Sequence, residues 1–129
     1  MKKKSFSIPL YRIDVTLIQL TKEDSYDSVS AVLKREGIDA EYISEAADNQ
    51  KNGYVDGGYT YYNFRVGKVV ILFYPTTAKK QQINIYSHEK RHLEDRVLEN
   101  ASVDDKEASA YLSGYLGEVF YDFYEMRQK

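Results

Sequence analysis

The most restrictive feature of this chain is VVILFY, residues 69–74, which is apolar at six consecutive positions. A strand with one face in water alternates polar and apolar side chains, whereas a strand in the middle of a sheet is apolar throughout. The run therefore predicts a central strand, which Pro75 ends. The preceding residues 58–68, GYTYYNFRVGK, predict a second strand that joins the first through a turn near Gly67.

Two patterns nearer the N-terminus predict another strand and a helix. Residues 10–20, LYRIDVTLIQL, alternate and are rich in β-branched side chains, which is typical of a strand. Residues 26–36 carry apolar side chains at helical spacing. Ser25 before them and Gly37 after them are a typical helix cap and a typical helix stop.

Two segments are expected to be exposed, and two to be long helices. Residues 38–57 are polar and turn-rich, so we expect a connection that holds at most a short strand at 42–43. The basic run at residues 2–4 is expected to be a solvated, frayed terminus. Helices are predicted over 80–99 and 105–125, and Asp104 with Glu107 forms a capping pattern for the second.

These elements predict a single α+β domain over residues 1–129. Its sheet is expected to be small and mainly antiparallel. We expect the sheet to pack on one face against the long helix over 80–99 and an antiparallel C-terminal helix. Oligomeric state is left open between a monomer and a homodimer.

Composition excludes several classes of function. The net charge is −2, from 18 basic and 20 acidic residues, which indicates neither a nucleic-acid partner nor an anionic membrane surface. Because there is no cysteine, disulfides, thiolate metal sites and cysteine nucleophiles are excluded. No apolar run approaches the ~20 residues that span a bilayer. Pro9 and Arg12 interrupt any signal-peptide core, so we expect a cytoplasmic protein.

Both histidines of the chain lie in one octet, YSHEKRHL. His88 and His92 are four residues apart, so a helix places both imidazoles on one face, with Cβ atoms ~5–6 Å apart. A catalytic zinc ion takes three protein ligands and keeps a fourth position for water. Glu89 lies beside the ligand face, where a general base would accept a proton from that water. The alternative interpretation is an ordinary solvated, charged helix face.

The last helix offers two carboxylates as a third ligand, because a short turn makes it an antiparallel neighbour. Glu107 and Glu118 are eleven residues apart and share one side of that helix. The residues alone do not choose between them, since Glu107 suits a helix cap and Glu118 stands among apolar neighbours. Tyr111 or Tyr115 would donate a hydrogen bond to a developing oxyanion, or would simply pack in the helix interface.

The segment SHEKRH, a turn and EASAYLSGYLGE, within about residues 84–120, resembles small zincin-like proteins encoded by phages and mobile elements. Their pattern is H-E-x-x-H on one helix, then a turn, then E-A-x-A-Y-L-x-G-Y/W. The resemblance implies a minimal zincin-like fold and a Zn²⁺ metallopeptidase. In that family, and in gluzincins such as thermolysin, a downstream glutamate completes the zinc site. The match of EASAYL assigns this role to Glu107 and gives Glu118 a supporting role.

Two basic residues inside the motif, Lys90 and Arg91, depart from the zincin pattern, which usually has a small or apolar residue there. This departure predicts a more exposed helix and weakens the case for a peptidase more than the case for metal binding. Two functions follow as hypotheses. The first is a zinc-dependent hydrolase for a peptide or protein, held by β-augmentation along residues 59–64. The second is a non-catalytic accessory protein of a phage or mobile element, with or without a structural metal, that uses its tyrosine-rich segments for contact.

Overall fold

The computed structural model describes residues 1–51 and 57–128. The α+β class is confirmed, because strands and helices both contribute to the described part of the chain. No helix within that part is long and apolar enough to cross a bilayer. In chain order the elements are β1 (Lys2–Ile8), β2 (Ile13–Gln19), α1 (Tyr26–Arg35), α2 (Ala40–Lys51), β3 (Gly58–Asn63), β4 (Lys68–Phe73), α3 (Lys79–Asn100) and α4 (Lys106–Gln128).

The four strands form one sheet in the order β1-β2-β4-β3. The pairs β1/β2 and β3/β4 are antiparallel, whereas β2/β4 is parallel. The sheet is therefore mixed, although antiparallel pairing predominates. The prediction of a central strand is confirmed, because β4 lies between β2 and β3. At the far side of the described sheet, β3 is an edge strand.

Alternation along β4 gives each face of the sheet its own core. Val69, Ile71 and Phe73 pack with α3 and α4. Val70 and Leu72 belong to the opposite core, with residues of α1 and α2. Helices therefore cover both faces, and the prediction that they pack on one face is wrong. The physical reason is the run of consecutive apolar residues itself, because such a strand exposes apolar surface on both sides unless both are covered.

Two segments predicted to be exposed are regular elements instead. The basic residues 2–4 begin β1, which pairs along its whole length with β2. Lys2 Nζ donates a hydrogen bond to the carbonyl oxygen of Met126 at 2.9 Å, so the terminus is tied to α4. Most of the expected connection over 38–57 is α2, whose Ala46 is fully buried against the sheet. Residues 52–56 of that connection lie outside the described part.

The helix ends follow the expected chemistry with one shift. Ser25 accepts a hydrogen bond from a backbone N–H three residues later, and Gly37 has a φ of +79°, as the predicted cap and stop require. The N-terminal cap of α4 is Asp105 rather than Asp104. Asp105 Oδ1 accepts from the backbone N–H of Glu107 at 2.8 Å.

Candidate metal site

His88 and His92 bring their ring nitrogens together on one side of α3. Their Nε2 atoms are 3.0 Å apart, and the two rings meet at 85°. Two nitrogen ligands of one tetrahedral zinc ion would be about 3.3–3.4 Å apart, given Zn–N distances of ~2.0–2.1 Å. Both side chains are exposed. The pair therefore fits two corners of one metal site that solvent can reach.

The histidines open into a pocket between α3 and β3, with a volume of about 350 Å³. Glu89 lies in the same pocket, so the structure brings together the three residues of the H-E-x-x-H motif. The other residues that line it are Gly58, Tyr59, Thr60, Tyr62 and Arg96.

Glu89 is buried beneath the histidines, with 5% of its surface exposed. Its Oε2 accepts a hydrogen bond from Thr60 Oγ1 at 2.6 Å. The close approach of α3 to β3 depends on Gly58, because a Cβ there would lie 2.8 Å from Glu89 Cγ. The carboxylate is thus held in one orientation by its contacts with the strand.

The alternation of β3 supplies the opposite wall of the pocket. Thr60 and Tyr62 face α3, whereas Tyr61 is buried in the core on the other side of the sheet. The guanidinium carbon of Arg96 lies 4.7 Å from the centroid of the Tyr62 ring, which is a cation–π contact. Burial raises the pKa of Tyr62 to about 12, although the Arg96 charge acts in the opposite direction.

The two basic residues within the motif have separate roles. Lys90 points to α4, where its Nζ donates to Ser113 Oγ at 3.1 Å, and it also forms an ion pair with Glu94 of its own helix. Glu94 is 3% exposed, so this pair is largely removed from water. Arg91 projects into solvent and pairs with Asp95 at 3.3 Å. Lys90 is therefore part of the helix interface, a role that the motif did not predict.

The proposed third ligands do not lie at the pocket. His88 and His92 are each two residues from Lys90, which is ~200° around an α-helix, so they face away from α4. Glu107 is exposed in the first turn of α4, and Glu118 is exposed further along it. Among the residues that the structure describes, no group of three His, Cys, Asp or Glu side chains is placed to hold one ion.

The tyrosines proposed as oxyanion donors also lie elsewhere. Tyr111 is 77% exposed and belongs to a cavity beside the β1–β2 turn. The Tyr115 hydroxyl donates to the carbonyl oxygen of Ser7 at 2.9 Å. The tyrosines that line the histidine pocket are Tyr59 and Tyr62, which come from the strand that the sequence indicated only as a peptide-binding edge.

Sequence reasoning missed Arg96 and Gly58 of the pocket, and it included Thr60 only as part of the peptide-binding edge over 59–64. Arg96 follows His92 by four residues and continues the same helical row, so its spacing was a usable signal. Gly58 and Thr60 had no such signal, because their roles depend on how β3 packs against α3.

Comparisons with protein-family models, with curated proteins and with solved structures find no match for this chain. The resemblance to zincin-like proteins therefore rests on the motifs alone and stays a prediction.

Proposed function

We propose that the protein is a zinc-dependent hydrolase, most naturally a small metallopeptidase, with His88 and His92 as ligands and Glu89 as general base. The observation that carries this proposal is the convergence of the two Nε2 atoms, 3.0 Å apart, above a buried carboxylate in one pocket. A bound Zn²⁺ ion would supply a Lewis acid and lower the pKa of water at its open position to about 7.

The protein's own residues prepare Glu89 for proton transfer. Thr60 donates to Oε2, which fixes the plane of the carboxylate and leaves Oε1 to accept a proton. Because Glu89 is buried, its side chain loses little further conformational freedom when a substrate binds. A carboxylate that is already fixed in position contributes more to the reaction rate than the carboxylate of an exposed, mobile glutamate.

The sequence motif assigns the third ligand to Glu107, with Glu118 as the alternative, although both lie on α4, from which His88 and His92 face away. A catalytic zinc site takes three protein ligands. The assignment of Glu107 rests on the EASAYL motif, since both glutamates lie on the exposed surface of α4. Metal analysis of single variants tests this part of the proposal separately from the rest.

The proposed substrate is a peptide or protein bound along β3. Within the described sheet, β3 pairs with β4 on one side only. The backbone groups of its other edge are arranged to extend the sheet with an incoming strand. Since Thr60 and Glu89 share the pocket at this strand, a peptide paired there would pass the histidines. The proposal includes a cytoplasmic location and neither a nucleic-acid nor a membrane partner.

Elemental analysis of purified protein tests the metal site. We expect His92→Ala to lose zinc, and Glu89→Gln to keep zinc but lose cleavage of a mixed library of quenched fluorescent peptides. If the motif assignment is right, Glu107→Ala should lower the zinc content and Glu118→Ala should not; unchanged zinc content in both variants would remove α4 from the site. Arg91→Gln, on another face of α3, is the control. Wild-type zinc content and melting temperature in His92→Ala would exclude the metal site.

A second candidate function is a non-catalytic accessory protein of a phage or mobile element. The hydrogen bond from Thr60 to buried Glu89 favours it, because this contact also ties α3 to β3 in a protein without activity. The tyrosine-rich segments offer little contact surface, since Tyr61 and Phe123 are core residues, although Tyr121 is exposed. A zinc-loaded wild type that cleaves nothing in the library would support this candidate.

A further inference from the structure

Arg96 lies at the end of the histidine pocket, over the ring of Tyr62. His88, His92 and Arg96 follow one another at intervals of four residues, so they form a single row along α3. The Tyr62 ring, 4.7 Å from the guanidinium carbon, fixes the far end of that row. A guanidinium stacked on an aromatic ring keeps its N–H groups free to bind a planar anion at its edge.

The charge of Arg96 is not neutralised by the ion pairs of the described residues. Arg91 pairs with Asp95, and Arg65 pairs with Asp39, whereas the described ion pairs do not include Arg96. A carboxylate is the group that guanidinium binds in a two-pronged geometry. Arg96 therefore offers a cation to whatever occupies the pocket.

The direction of β3 sets where that cation would act. Gly58 lies against Glu89, and Tyr62 lies against Arg96, so β3 and α3 run the same way along the pocket. Four residues of helix rise ~6 Å, which equals about two residues of an extended strand. In a peptide paired with β3, the residue beside Arg96 would therefore be about two positions away from the residue beside the histidines.

We infer that Arg96 selects peptides that carry a carboxylate about two residues from the bond to be cut, an inference that rests on the proposed function. Two sources supply that carboxylate. In a peptide antiparallel to β3 it is an Asp or Glu side chain before the cleaved bond. In a parallel peptide it is a following acidic side chain or the C-terminal carboxylate.

Cleavage of defined peptides tests the inference. Alanine-based quenched peptides would carry Glu or Gln at each position in turn, with a free or an amidated C-terminus. For the wild type we expect that, at one position, the peptide with a carboxylate has a kcat/KM about tenfold higher than its neutral partner. A hydrogen bond to a charged group implies a difference of this size. Arg96→Gln should reduce that ratio to about one, whatever its effect on the cleavage of neutral peptides. Arg91→Gln removes the same charge from another face of α3 and should keep the ratio.

Binding to Glu89→Gln protein separates this inference from the proposed function, because it requires no turnover. Calorimetry should show about tenfold tighter binding of the preferred acidic peptide than of its neutral partner, and Arg96→Gln added to this variant should abolish the difference. Equal binding, no binding, or a preference that survives Arg96→Gln would overturn the role of Arg96. Wild-type protein that binds no zinc or cleaves no peptide would overturn the proposed function, while the binding ratio still reports on Arg96.

Discussion

Gly58→Ala is expected to destabilise the fold by displacing Glu89. The added Cβ would lie 2.8 Å from Cγ of Glu89, closer than such atoms approach in proteins, and 3.2 Å from Cδ, which is a tight contact. Glu89 is only 5% exposed, so it has little room to move aside. The backbone itself accepts alanine, because Gly58 is not among the residues with positive φ. Any loss of stability therefore comes from the contact with Glu89.

The size of the effect follows from three contributions. Overpacking a buried site costs ~1–3 kcal/mol. Moving Glu89 away from Thr60 Oγ1, 2.6 Å from it, costs a further ~1–3 kcal/mol if the buried carboxylate loses that donor. Replacing a strand glycine by alanine returns ~0.5–1 kcal/mol. Because one movement of Glu89 relieves the clash and breaks the bond, the first two overlap, and we expect a net loss of about 2–3 kcal/mol.

Thermal unfolding followed by circular dichroism measures this loss, with a chelator present so that metal binding does not contribute. Unfolding entropy is ~2.1 cal/mol/K per residue, so for 129 residues the melting temperature should fall by about 7–11 °C. Gly114→Ala is the matched control. Its Cβ would meet nothing within 4 Å on α4, so it should raise stability by ~0.5–1 kcal/mol.

A double-mutant cycle gives the result that would refute the reasoning. In the Glu89→Ala background the clashing atoms are absent, so Gly58→Ala should cost nothing. If it costs as much there as in the wild type, the contact with Glu89 is not the cause.

Two further predictions concern buried polar groups. Lys90→Met leaves Glu94, 3% exposed, with only the more distant Arg91 guanidinium, 4.0 Å away, as an ion-pair partner and should cost about 3 kcal/mol in urea unfolding. Arg91→Gln should cost less than ~1 kcal/mol, and equal losses would contradict this difference. Burial raises the pKa of Tyr62 and of Tyr74 from 10.0 to about 12, which favours the neutral phenols in the fold. This stabilisation is complete below pH ~10 and is lost as pH rises towards ~12. Melting temperatures from pH 8 to 12 should show that decline, with a shallower slope in Tyr74→Phe; a flat profile would contradict it.

Local patterns predicted most elements of the second half of the chain. The apolar run of β4 is continuous, and the helical patterns of α3 and α4 each extend over more than twenty residues, although Glu89 interrupts the apolar face of α3 between Tyr86 and Leu93. The segments that became β1 and α2 lacked such a signal. Three consecutive lysines and a polar stretch look solvated, yet β1 gains its stability from pairing with β2, which local sequence does not report.

The sequence by itself determined that His88 and His92 share one face of a helix, since a four-residue interval does this in any helix. Only the tertiary structure decided where that face points. Lys90 turns towards α4, where its Nζ donates a hydrogen bond to Ser113, and the histidines consequently face β3. Thr60 meets Glu89, which lies 29 positions later in the sequence. Such contacts depend on which apolar surfaces bury each other, and this is a property of the whole fold.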